Sequence, residues 1–79
     1  MKESVLVIGG AGYVGARLVE SLFKNNYNVV VLDLFIYGKN IFDKYRNNNS
    51  FKQIQGDIRN LDIVKSSLKN IDYVVHLAC

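Results

Sequence analysis

The chain has 79 residues, 49% hydrophobic and 22% charged, with one cysteine and no proline, which allows one globular domain and excludes an internal disulfide or a collagen-like or disordered composition. The formal charge of +3 and the pI near 9.1 come from ten basic residues. These are scattered from Lys2 to Lys69 without forming a stripe, so they describe a solvated surface and not a nucleic-acid face.

The opening Met1-Lys2-Glu3-Ser4 precedes an apolar run that glycines soon interrupt. It is too short for a signal peptide core and far short of the ~20 residues that span a bilayer. With Cys79 as the lone thiol, the expected compartment is the cytoplasm, and neither nucleic acid nor a membrane is expected as a partner. Val5 to Gly9 is continuously apolar, as in a strand buried on both faces of a parallel sheet. From Tyr13 to about Asn25, Val14, Leu18 and Leu22, flanked by Val19 and Phe23, form a helical stripe with Gly15 on the same side. Asn25 and Asn26 can end that helix, and Asn28 to Asp33 is a β-branched second strand.

Leu34 to Gly38 suggests a loop, Ile41 to Arg46 a short helix, and Asn47 to Ser50 a turn. Phe51 to Gly56 alternates as a third strand and leads into the loop Asp57-Ile58-Arg59. Asn60 is placed to cap a helix that carries Leu61, Val64 and Leu68 on one face. Asp72 to Ala78 is a fourth strand. Alternating strands and helices joined by right-handed crossovers predict an α/β, Rossmann-type doubly wound parallel sheet, partial, with four strands in the order 3-2-1-4. A ligand then belongs at the carboxyl ends of the strands, between strands 1 and 4.

The glycines fit Gly10-x-Gly12-x-x-Gly15 and also Gly9-x-x-Gly12-x-x-Gly15. They follow a strand, open a helix, and precede by 18 positions, counted from Gly15, an acid at the end of strand 2, which is the setting of a dinucleotide site. Glycine lets a pyrophosphate approach backbone N–H groups at a helix N-terminus. For Asp33 the plainer alternative is a strand-end cap of a turn, and the same holds for Asp57 in Gly-Asp. His76, inside an apolar run, is read as structural. Without a second histidine, and with Cys79 only three residues further along the chain, no metal site is expected.

Together, Gly9-Gly10-Ala11-Gly12-Tyr13-Val14-Gly15, Asp33, Gly56-Asp57-Ile58 and Val74-Val75-His76-Leu77-Ala78 resemble the extended short-chain dehydrogenase/reductase family, which includes NAD-dependent nucleotide-sugar epimerases and dehydratases. The resemblance covers the whole chain. It implies that Gly9, Gly12, Tyr13 and Val14 border the pyrophosphate and that Gly15 lets the helix lie close to strand 1. It also implies that Asp33 accepts hydrogen bonds from the adenosine ribose, Asp57 and Ile58 hold the adenine, and Leu77, Ala78 and Cys79 line the path to the nicotinamide ribose. Cys79 and Leu34 depart from the family's usual small residue and asparagine. The implied cofactor is NAD: a carboxylate about 4 Å from a 2′-phosphate charge costs roughly 4 kcal/mol at an effective dielectric of 20, whereas ribose hydroxyls suit it.

The family's proton transfer uses Tyr-x-x-x-Lys with a nearby Ser or Thr, and none of the five tyrosines here has a lysine four positions on. Residues 1–79 are therefore expected to be the NAD-binding N-terminal portion of a longer epimerase, dehydratase or oxidoreductase. That parent would act on a nucleotide sugar, with a homodimer open for it, and the 79-residue chain would be inactive and poorly folded alone. A strand 4 without an outer neighbour, at the end of the chain, supports this expectation. The alternatives are a noncatalytic, redox-sensing or regulatory dinucleotide module, and a flavin-binding Rossmann domain, against which the Gly-Asp-Ile and His-Leu-Ala segments argue.

Overall fold

The computed structural model describes residues 2–9, 11–35 and 39–77. Its elements are β1 (Ser4–Ile8), α1 (Tyr13–Lys24), β2 (Asn28–Asp33), a 3₁₀ stretch (Lys39–Tyr45) kinked at Phe42, β3 (Phe51–Gln55), α2 (Leu61–Ser67) and β4 (Tyr73–His76). The four strands form one parallel sheet in the order β3-β2-β1-β4, as expected. β1 pairs from Ser4 with Asn28 to Ile8 with Leu32 on one side, and from Val5 with Tyr73 to Ile8 with His76 on the other.

Strand alternation sends the apolar residues of β1 and β2 to two faces. Val5, Val7, Val29 and Val31 meet Val19 and the half-buried Ala16, Leu18, Leu22 and Phe23 of α1. Leu6, Ile8 and Leu32 meet Ile63, Val64 and Ile71. The two helices therefore cover opposite faces, as a doubly wound sheet requires.

α1 ends where the sequence places its terminators. Asn26 adopts φ 69°, its N–H donates to the Phe23 carbonyl at 3.0 Å, and the Tyr27 N–H donates to the Leu22 carbonyl at 3.1 Å. This is the paired bond pattern of a Schellman stop, with Asn in the place of the usual Gly. At α2 the Asn60 Oδ1 accepts from the N–H groups of Asp62 and Ile63 at 3.0 and 3.3 Å, which is the expected cap.

The phase of both helical stripes differs from the sequence reading. In α1, Val14 is 68% exposed, and the buried centre is Gly15 and Val19. In α2, Leu61 and Leu68 are exposed, and Ile63 faces the sheet with Val64 half-buried beside it. Gly56 explains the second shift: a Cβ there would collide with Ile63 Cδ1 and lie 3.3 Å from Ile63 Cγ1 and Cγ2. Ile63 occupies the place a side chain at position 56 would take. His76 lies exposed at the end of β4 rather than inside an apolar layer.

Between β2 and β3, Phe42 is 2% exposed and stacks near Phe51, with centroids 5.3 Å apart, while Tyr45 lies 4.5 Å from Phe23. This aromatic cluster turns an irregular crossover into part of the α1-side core. The expected loop Leu34–Gly38 is described only as far as Phe35, because residues 36–38 lie outside the described residues. Among the described residues no helix is long and apolar enough to cross a membrane.

Gly56→Ala is expected to destabilise the fold by about 1–3 kcal/mol through overpacking. The loss should shrink in an Ile63→Val background, which removes Cδ1. Thermal unfolding of the two single variants and the double variant checks this, and additive losses would overturn it.

Candidate cofactor site

The glycine loop leaves β1 between its two neighbours. The Gly9 N–H donates to the Leu32 carbonyl of β2 at 2.8 Å, and the Leu77 N–H donates to the Ile8 carbonyl at 2.8 Å. The loop thus starts between the ends of β2 and β4, at the switch point of the strand order. Gly9 has φ 80°, a left-handed conformation that side chains rarely adopt, so a glycine is needed there by the backbone alone.

Gly12 is different. It is the N-cap of α1, with φ −87° and ψ −178°, and its carbonyl accepts the first helical bond from the Ala16 N–H at 2.9 Å. Any residue can take that extended conformation, and a Cβ built there meets nothing within 4 Å. Neither backbone strain nor packing demands a glycine there; the N-cap position favours one over other residues without a side-chain cap.

The first turn of α1 leaves the N–H groups of Tyr13, Val14 and Gly15 without intrahelical acceptors. Gly12 offers no side-chain cap, and the turn contains no acidic residue. The positive end of the helix dipole is therefore open to an anion. Tyr13 is 76% exposed and reaches back along the helix, its hydroxyl accepting from Arg17 Nη1 at 3.2 Å. Gly15 is buried, four residues before the buried Val19 of α1.

Asp33 closes β2 beside this loop. Its Oδ2 accepts from the Ala11 N–H at 3.0 Å and its Oδ1 from the Phe35 N–H at 2.8 Å. The turn-capping role is thus present in the structure, and two lone-pair directions of the carboxylate remain for other donors. The Gly56 N–H donates to the Asp33 carbonyl at 3.0 Å, which ties the loop after β3 to the same place.

In that loop Asp57 is held by Arg59, a partner the sequence reading did not assign. Oδ1 accepts from the Arg59 N–H at 2.9 Å, and the guanidinium reaches both oxygens, with Nη2 to Oδ2 at 2.6 Å. The Asp-x-Arg spacing in a turn was the available signal. Ile58 is partly exposed beside them. Leu77 is half-buried at the end of β4, while Gly10, Ala78 and Cys79 lie outside the described residues. Among the described residues, no three His, Cys, Asp or Glu side chains converge as metal ligands would.

The sequence pattern of the NAD dependent epimerase/dehydratase family matches residues 5–79. The chain belongs to that family. The family is NAD dependent, and NAD is the cofactor. A UDP-glucose 4-epimerase of Lactobacillus helveticus is 40% identical over 76 residues, covering 94% of this chain and 22% of that protein. UDP-glucuronic acid decarboxylase 4 of Arabidopsis thaliana is 39% identical over 77 residues, covering 95% and 16%. The X-ray structure of Pen from Bacillus thuringiensis superposes with a TM-score of 0.87 at 33% identity, covering 99% of this chain and 25% of that one. The chain thus spans about a quarter or less of the length of these family members.

Arg59 holds the Asp57 carboxyl at about 2, below its ordinary 3.8, first through the side-chain hydrogen bonds and then through the backbone N–H. A folded value below the unfolded one contributes stability above the unfolded value, and that contribution is lost as pH falls toward about 2. Arg59→Ala should return the Asp57 midpoint toward 3.8, as followed by the carboxyl carbon shift in an NMR titration. An unmoved midpoint would show that the pair does not form in solution.

Proposed function

We propose that residues 1–79 are the NAD-holding N-terminal portion of a longer enzyme that acts on a nucleotide sugar by transient hydride transfer, as an epimerase or dehydratase. The observation that carries this reading is Gly12, a glycine that the fold itself does not require, at the uncapped start of α1. Family membership and the UDP-sugar relatives support the substrate class.

On this reading Gly9, Gly12, Tyr13 and Val14 border the pyrophosphate, and Gly15 lets α1 lie close to β1. Asp33 receives the adenosine ribose hydroxyls, and Asp57 with Ile58 borders the adenine. Leu77, Ala78 and Cys79 lead toward the nicotinamide ribose. NAD, when bound, supplies a reversible hydride acceptor at the nicotinamide. The groups that move the hydroxyl proton lie outside residues 1–79, since no Tyr-x-x-x-Lys occurs among them. That absence is also what favours the second reading, a noncatalytic dinucleotide-binding module. Turnover of UDP-sugars by the full-length protein separates the two.

Gly12→Val should lower stability without cofactor only by the loss of a favourable N-cap residue, about 1 kcal/mol, because a Cβ there meets nothing within 4 Å. NAD affinity should fall on the order of a hundredfold. Calorimetric titration of the full-length protein checks this, and undiminished affinity would remove the reading. Asp33→Asn should weaken NAD binding and narrow the preference for NAD over NADP, since the charge that opposes a 2′-phosphate is gone. Parallel titrations with both cofactors test this, and two unchanged affinities would dispose of the ribose assignment.

A further inference from the structure

Asp33 joins two segments that are far apart in sequence. Ala11 and Phe35 are 3% and 5% exposed and belong to the same core cluster. Their N–H groups therefore have little water to turn to, and an unmet buried donor is costly. Each finds its acceptor on a different oxygen of the same carboxylate, Oδ2 for Ala11 and Oδ1 for Phe35. Phe35 also has φ 56°, a left-handed conformation that a bulky residue adopts only where its surroundings impose it.

We propose that Asp33 is a positioning residue. It staples the glycine loop to the turn after β2 and holds both in binding geometry before any cofactor arrives. A carboxylate suits this task because both its oxygens only accept. Two lone pairs take the backbone donors and two remain for ribose hydroxyls, so stapling and ribose binding do not compete. Asparagine cannot replace it, because its amide nitrogen would face an N–H. The consequence for binding rests on the reading of the glycine loop as a pyrophosphate site, whereas the staple itself can be observed without any ligand.

The test uses the full-length protein labelled with ¹⁵N-alanine and ¹⁵N-phenylalanine, without NAD. Amide exchange at Ala11 and Phe35 is measured in the wild type and in Asp33→Asn, and each is titrated with inorganic pyrophosphate. Pyrophosphate has no ribose, and removal of a nearby negative charge would by Coulomb's law alone tighten its binding. The staple predicts the opposite sign: weaker pyrophosphate binding in Asp33→Asn, together with exchange at Ala11 accelerated roughly tenfold.

Unchanged exchange at Ala11, or tighter pyrophosphate binding in the variant, would overturn the staple. Should Asp33→Asn fail to fold, the wild type decides: protection of Ala11 supports the staple, and exchange as fast as at an exposed loop amide sinks it. A wild type with a protected Ala11 amide, accelerated in the variant, that binds no pyrophosphate would support the staple and overturn the pyrophosphate reading.

Discussion

β1 is hydrogen-bonded along both edges, and the position of every site residue follows from that. Its ladder with β2 continues past the strand end through the Gly9 N–H, and its ladder with β4 continues through the Leu77 N–H. Four consecutive residues, Val5 to Ile8, are buried because helices cover both faces. The crossover from β1 to β2 through α1 and the crossover from β3 to β4 through α2 lie on opposite faces of the sheet. In an open sheet of this order the carboxyl ends of β1 and β4 are where a ligand crevice is expected. The glycine loop starts at that end of β1, through the Gly9 N–H bond to Leu32.

Around the glycine loop the acidic side chains are engaged by backbone or arginine donors, while the start of α1 carries no side-chain cap. Asp33 is engaged by two backbone N–H groups and Asp57 by Arg59. α1 begins with neither a side-chain cap nor an acid in its first turn. A helix end that most proteins would cap is left with its positive partial charge facing outward. The two glycines nearest to it serve different ends. Gly9 answers a backbone requirement, whereas a Cβ at Gly12 would meet nothing within 4 Å.

Much of this architecture can be read in the residues themselves. The alternation of apolar runs yields the strand order, because a right-handed crossover leaves few other topologies. Asn25, Asn26 and Asn60 mark helix ends through chemistry local to each of them. Asp33 is found by its distance from the glycines. Less readable were the aromatic cluster of Phe23, Phe42, Tyr45 and Phe51, the left-handed Phe35, and the pairing of Asp57 with Arg59. Each depends on segments or rotamers that periodicity does not encode.

The helical stripes show where the boundary lies. Apolar spacing establishes that α1 and α2 are amphipathic, yet it placed Val14, Leu61 and Leu68 on the buried side when all three are exposed. A 3.6-residue period fixes a face only to within about one residue's rotation, and the choice falls to whatever lies opposite. Here that is the vacancy at Gly56 that admits Ile63, and the sheet surface that admits Gly15 and Val19. Sequence by itself determined the elements, their order in the sheet and the residues at the strand ends, because these follow from local propensity, period and crossover handedness. Tertiary structure alone decided the rotation of each helix, the double engagement of Asp33 and the open approach at Gly12, because each depends on distances between residues remote in the chain.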